Sequence, residues 1–333
     1  MGRSILRGLL WTVGIVVALF GAALIVSSLS GRQAPIDIVA AGKAKLGIDL
    51  ESERVPTNGI HLHVVMAGPK DGPPVVLLHG YPEFWWGWSR QIAQLSRAGF
   101  RVIVPDQRGY DRSDKPVGVE AYRIENLELD IIGLITQLGY DKVNLAGHDW
   151  GGVVAWRLAI DYPDRFRKLV IFNMGHPLAF RDAEATAPQQ KTISWYRTFF
   201  QLPVIPEAVG RFNNWSLLEK SLRNTSRPGT FPDDEMVYYK AAWDHDGAMH
   251  SMVNWYRAGF RFMRDPTGDG MVRVPTRIVW GMKEAFMESR VARLSVPHCA
   301  EASVVEVPDA GHWLLHEEPE LTSRQMIEFF SAQ

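Results

Sequence analysis

Residues 143–154 read Val-Asn-Leu-Ala-Gly-His-Asp-Trp-Gly-Gly-Val-Val, and no other stretch restricts this chain so tightly. They form a short apolar strand, a sharp glycine-flanked turn, and a helix running to about Ile160. Gly147 and Gly151 are needed because side chains there would clash in so tight a bend. Such a bend holds its central residue exposed at the end of the strand, and that residue is Asp149. Further apolar runs predict buried strands at Val75–Leu78, Val102–Pro105, Leu169–Asn173, Thr276–Trp280 and Ser303–Val307. Ile60–Met66 alternates after the turn Asn58-Gly59 and belongs to a hairpin. Ile124–Leu138 has helical spacing, with Gly139 where a C-terminal cap belongs. Strands alternating with helices predict an α/β fold, a mostly parallel sheet with helices on both faces.

The alternation breaks after His176-Pro177. Leu178 to about Met263 holds no clear buried strand and reads as aromatic-rich helices and loops, an inserted helical lid. The expected division is a core of residues 34–178 and 264–333 with a lid of residues 179–263. Twelve tryptophans, several beside the motifs below, suggest a deep apolar pocket. The chain closes with an amphipathic helix, Pro319–Phe330. Leu9–Leu29 is an uncharged run of about 21 residues, the length a helix needs to cross a bilayer. Arg3 and Arg7 precede it and Trp11 sits at an interface position, so residues 1–33 are expected to be a transmembrane anchor. That makes a single-pass membrane protein with its catalytic domain on the non-cytoplasmic side, although Arg32, Lys43 and Lys45 blunt the charge asymmetry. A cleaved signal, ending near Ser28 and Ser30, would make it secreted. The net charge of −1 gives no case for nucleic acid as a partner. The single cysteine, Cys299, excludes an intrachain disulfide and fits no metal-ligand spacing.

A carboxylate at the bend decides the chemistry. It attacks an sp³ carbon and becomes an alkyl ester, so epoxides or alkyl halides are the substrate classes rather than esters. The chain order nucleophile, acid, histidine is filled in turn. Glu284 follows the strand ending Trp280-Gly281, and His312 follows the strand 303–307 within Asp309-Ala310-Gly311-His312-Trp313. Glu284 would orient the imidazole and His312 would be the base. Glu288 and Asp269 are rivals for the acid. His148, expected to point away into the sheet, and His316, in an acidic helix start, are poorer bases. His79-Gly80-Tyr81-Pro82 would place the Tyr81 N–H near the bend, and with the Trp150 N–H it makes an oxyanion hole.

The segments HGYPEFWWGW, DQRGYDRSD, GHDWGG, NWYR, WGMKEAFM and DAGHW resemble, in order and spacing, the epoxide hydrolases of the α/β-hydrolase superfamily, from about Gly59 to the C-terminus. The bend and the HGYP segment are shared with haloalkane dehalogenases, and the lid separates the two. The resemblance implies two lid tyrosines that hydrogen-bond the epoxide oxygen. Tyr256 falls in Asn254-Trp255-Tyr256-Arg257, and Tyr196 in the segment ahead of Gln201-Leu202-Pro203. Tyr162, Tyr238 and Tyr239 have no such support. Glu284 stands where Asp is commoner in the family, one methylene further out. The apolar N-terminal run also resembles the membrane-bound members. The function implied is conversion of a small lipophilic epoxide to a vicinal diol, with no metal or organic cofactor. A haloalkane dehalogenase and a ligand-binding member with little turnover are the alternatives.

Overall fold

Each apolar run becomes a strand of one eight-stranded sheet. The structure, a computed structural model, describes Gly21 and residues 36–186 and 188–332. The strands are β1 (Glu51–Thr57), β2 (Ile60–Ala67), β3 (Pro74–Leu78), β4 (Arg101–Pro105), β5 (Val143–His148), β6 (Phe166–Phe172), β7 (Thr276–Gly281) and β8 (Ala302–Val307). Their order across the sheet is β1-β2-β4-β3-β5-β6-β7-β8. β1 and β2 form the hairpin at Asn58-Gly59, where both residues have positive φ, 42° and 76°. β2 runs antiparallel to β4, and from β4 to β8 every pair is parallel. The central strands β3, β4 and β5 are buried almost throughout because helices cover both faces, which is why β3 and β4 carry unbroken runs of Val, Ile and Leu rather than alternating.

That order creates the cleft. β3 and β5 are neighbours, with Leu78 paired to Gly147. The chain leaves β3 toward β4 on one side and leaves β5 toward β6 on the other. A crevice therefore opens at their carboxyl ends, where ligands bind in open parallel sheets. The helices around the sheet include α1 (Ile38–Leu46), α2 (Ser89–Arg97), α3 (Ile124–Gln137) and α4 (Trp150–Asp161).

The connection from β6 to β7 is the lid. It contains α5 (Pro177–Thr186), α6 (Pro188–Ile193), α7 (Trp195–Phe199), α8 (Ile205–Asn224), α9 (Asp233–Trp243) and α10 (Ala248–Phe262). α8 is broken by non-helical backbone at Phe212–Trp215. Indole N–H groups join lid to core in both directions. Trp243 donates to Pro82 O at 2.7 Å and Trp255 to Arg108 O at 2.9 Å. Trp86 donates to Glu235 Oε2 at 3.0 Å and Trp313 to Thr225 Oγ1 at 2.9 Å. The tryptophan load thus serves attachment as well as pocket lining.

The expected anchor, Leu9–Leu29, lies outside the described residues apart from Gly21. Among the described residues no helix is long and apolar enough to cross a membrane.

Candidate active site

The backbone at Asp149 has φ 50° and ψ −124°, a region that side chains other than glycine rarely enter. The close packing around it explains the neighbouring glycines. A Cβ on Gly151 would sit 2.1 Å from Leu78 O, and one on Gly147 2.4 Å from Gly151 O. The Asp149 side chain points across to the loop after β3, where the Tyr81 N–H donates to its Oδ1 at 2.8 Å. A Cβ on Gly80 would meet Asp149 Cβ at 2.4 Å. His79 braces that loop from below. Its Nδ1 is 3.0 Å from Gly80 O, and its Nε2 accepts from Gln107 N at 3.1 Å. Burial lowers this imidazole to about 4, so it stays neutral and keeps one donor and one acceptor. Trp150 is the first residue of α4, so its N–H belongs to the unpaired first turn of a helix.

His312 reaches the same point from the loop after β8. Its Nε2 lies 3.7 Å from Asp149 Oδ2, and its Nδ1 lies 2.8 Å and 3.0 Å from the two oxygens of Glu284. Glu284, on the loop after β7, accepts from the Phe286 N–H at 2.8 Å and from Asn173 Nδ2. Burial pushes the Glu284 carboxyl up, but His312, Asn173 and the Phe286 N–H outweigh it and hold the group below its usual range. Burial likewise disfavours the His312 cation. The Glu284 charge and hydrogen bond, with a smaller contribution from Asp149, more than offset this and raise its pKa above the ordinary 6.5. A base has to be neutral to work, so turnover should fall as pH drops through a value above 6.5. In Glu284→Gln the acid limb of a kcat-against-pH profile should move to lower pH, and the plateau should drop by about 10³- to 10⁴-fold.

The structure separates the other candidates. Glu288 pairs with Arg290, and Asp269 with Arg273 on the surface, so neither faces His312. His148 turns under the histidine loop rather than into the sheet, with its Nε2 2.8 Å from His312 O. His316 is buried against Glu83, at 2.7 Å from its Oε1, which also accepts from Tyr239 at 2.9 Å. Burial works against the Glu83 carboxylate, but His316 and His148 keep it below its usual range.

Two residues escaped the sequence reading. Asn173 follows β6 at φ 41°, accepting from Gly281 N at 2.8 Å while holding Glu284. An Asn after an apolar strand is its only sequence mark. Glu83 sits in the HGYPE segment, but nothing local tells that two distant histidines will close on it.

Above Asp149 two cavities meet, about 300 and 450 Å³ in volume. Both are lined by Asp149, His312, Tyr196, Tyr256 and Phe286. Tyr196 lies on α7 and Tyr256 on α10, with ring centroids 5.9 Å apart. Tyr256 also packs edge-on against Tyr81 and Trp150, each at 5.2 Å. Burial, then the Asp149 charge, raises both phenols above their usual value and keeps them protonated. Tyr162, Tyr238 and Tyr239 line neither cavity.

Comparisons with known proteins identify the fold family and its relatives. The alpha/beta hydrolase fold family matches residues 73–319. The AB hydrolase superfamily protein YfhM of Bacillus subtilis (strain 168) is 44% identical over 279 residues, covering 84% of this chain and 97% of that protein. Epoxide hydrolase 2 of Caenorhabditis elegans is 34% identical over 282 residues, covering 83% of this chain and 79% of that protein. Among solved structures, a mutant epoxide hydrolase from Bacillus megaterium complexed with its diol product matches with a TM-score of 0.78 at 28% identity, covering 84% of this chain and all of that one.

Proposed function

Because this chain belongs to the α/β-hydrolase fold family and matches its epoxide hydrolases over most of its length, we propose that it hydrolyses a small lipophilic epoxide to the vicinal diol through an ester on Asp149. In the first step an Asp149 oxygen attacks an epoxide carbon as the C–O bond breaks, and a phenol of Tyr196 or Tyr256 hydrogen-bonds and protonates the departing oxygen. In the second, water enters between His312 and the ester, gives a proton to Nε2, and adds to the Asp149 carbonyl carbon. The 3.7 Å gap between His312 and Asp149 is wider than a hydrogen bond and lies where that water has to act. The N–H groups of Tyr81 and Trp150 hold the oxyanion until it collapses: as the ester C–O bond breaks the imidazolium gives its proton to the departing diol oxygen, and the Asp149 carboxyl proton returns to the phenolate, which restores carboxylate, imidazole and phenol. Glu284 steadies the imidazolium in between.

The observation that carries this reading is that two lid phenols, Tyr196 and Tyr256, line both cavities together with Asp149. An alkoxide is a poor leaving group at neutral pH and needs a proton, whereas a halide needs only N–H donors. The electrostatics also follow the reaction. The Asp149 charge helps keep the phenols protonated, and esterification removes that charge as the alkoxide begins to demand the proton. We read residues 9–29 as the segment tethering the domain to a membrane, with the domain on the non-cytoplasmic side.

The test is diol formation from styrene-type and aliphatic epoxides beside halide release from haloalkanes. Tyr196→Phe and Tyr256→Phe should each lower kcat on epoxides by about 10²-fold. Halide release without diol would replace this reading with a dehalogenase.

A further inference from the structure

Trp195, Leu202, Val204, Ile205 and Leu217 are 65, 42, 72, 48 and 44% exposed, all within one stretch of the lid. Single exposed apolar side chains are ordinary on a folded surface, but a group of large ones marks an interaction face. Trp195, Phe200, Pro206 and Leu217 line the larger cavity, so the exposed side chains of Leu202, Val204 and Ile205 lie outside the cavity on the stretch that borders its outer mouth.

This rim is held in place. Arg257, next to Tyr256 on α10, donates to Leu202 O at 2.6 Å and to Phe200 O at 3.1 Å. Gln201 Nε2 donates to Tyr256 O at 3.2 Å. Val204 has φ 65°, a conformation that is costly for a β-branched residue, and it projects an isopropyl group into solvent.

We propose that this rim docks on a lipid bilayer and that the larger cavity takes its substrate from there. The surface that covers the rim is indicated by the chain itself. Leu9–Leu29 is uncharged and long enough to span a bilayer. The seven residues from Ser30 to Ile36 reach at most about 25 Å when fully extended. The helix that follows them, α1, is fixed to the lid, with Lys45 Nζ 2.7 Å from both Asp234 and Glu235 at the start of α9. Arg223, at the end of α8, bridges to Asp233 at 2.5 Å. A spanning segment holds the chain at the bilayer by itself, and with so short a connection to a helix fixed on the lid it keeps the apolar rim of that lid close to the membrane surface. The substrate class that follows, an epoxide dissolved among acyl chains, rests on the reaction proposed above, whereas the docking itself does not.

The test uses the full chain in phosphatidylcholine vesicles carrying doxyl-labelled acyl chains. An environment-sensitive probe is attached at Val204→Cys in a Cys299→Ser background, with Val117→Cys, 93% exposed on the core, as the reference. The Val204 probe should be quenched several times more strongly than the reference, and equal quenching overturns the proposal. Leu202, Val204 and Ile205 line neither cavity. Replacing all three by Asn should raise KM for a long-chain epoxide in the bilayer by roughly tenfold while leaving turnover of a short, water-soluble epoxide unchanged. If the Val204 probe is unquenched and the triple variant instead converts a dimer to a monomer in sedimentation, the rim is a self-association face and the proposal fails. If neither epoxide yields diol, the reaction assigned above fails while the quenching still decides the docking.

Discussion

His312→Gln should turn the protein into a trap. The first step uses Asp149 and the lid phenols, so the variant still opens one epoxide per molecule. The second step loses the group 3.7 Å from Asp149 that activates water, and the ester persists. Intact mass spectrometry should show the protein heavier by one epoxide, and peptide mapping should place the addition on Asp149. Steady-state turnover should fall by about 10⁴-fold or more. Gln keeps a donor near Glu284, so the Glu284–Asn173 pairing and the fold should survive, which circular dichroism would show. A variant that is inactive and gains no mass would mean that His312 acts before or during ring opening, contrary to the proposed division of labour.

Asp149→Ala should give the complementary result, with no adduct in any background and turnover lower by on the order of 10⁵-fold. Alanine at φ 50° retains the backbone strain while losing the bond to the Tyr81 N–H, so a lowered melting temperature is expected and has to be separated from the chemistry. The double variant Asp149→Ala, His312→Gln makes that separation, because it should carry no label where His312→Gln alone carries one. The wild-type protein gives the positive control. In a single turnover in ¹⁸O water the new oxygen should appear in Asp149 and not in the diol, because water attacks the carbonyl carbon of the ester. Label going directly to the diol would rule out the covalent route.

How legible the site was depends on how local each constraint is. Asp149 could be read because the strand, the glycines and the helix that shape its bend lie within a dozen residues. His79–Pro82 could be placed because a loop after one buried strand adjoins the bend after its neighbour whenever the two strands are parallel. The acid could not be fixed by spacing, since Glu284, Glu288 and Asp269 all lie near β7 in sequence. Three-dimensional structure separates them, because only Glu284 faces His312 Nδ1. Asn173 and the Glu83–His148–His316 cluster were invisible for the same reason, each joining segments scores of residues apart. In the lid, aromatic content and the lack of strands indicated helices. The break in α8 and the use of indoles as ties emerge only from packing against the core.

Those indole ties have a kinetic consequence. Swinging the cap away as a body would break four N–H bonds at once and hand the groups to water, at a net cost of about 0.5–1.5 kcal/mol for each. The ties therefore oppose a hinged opening of the cover. Rotamer changes of the rings along the bore keep all four ties, so its breadth is expected to limit which molecules get through.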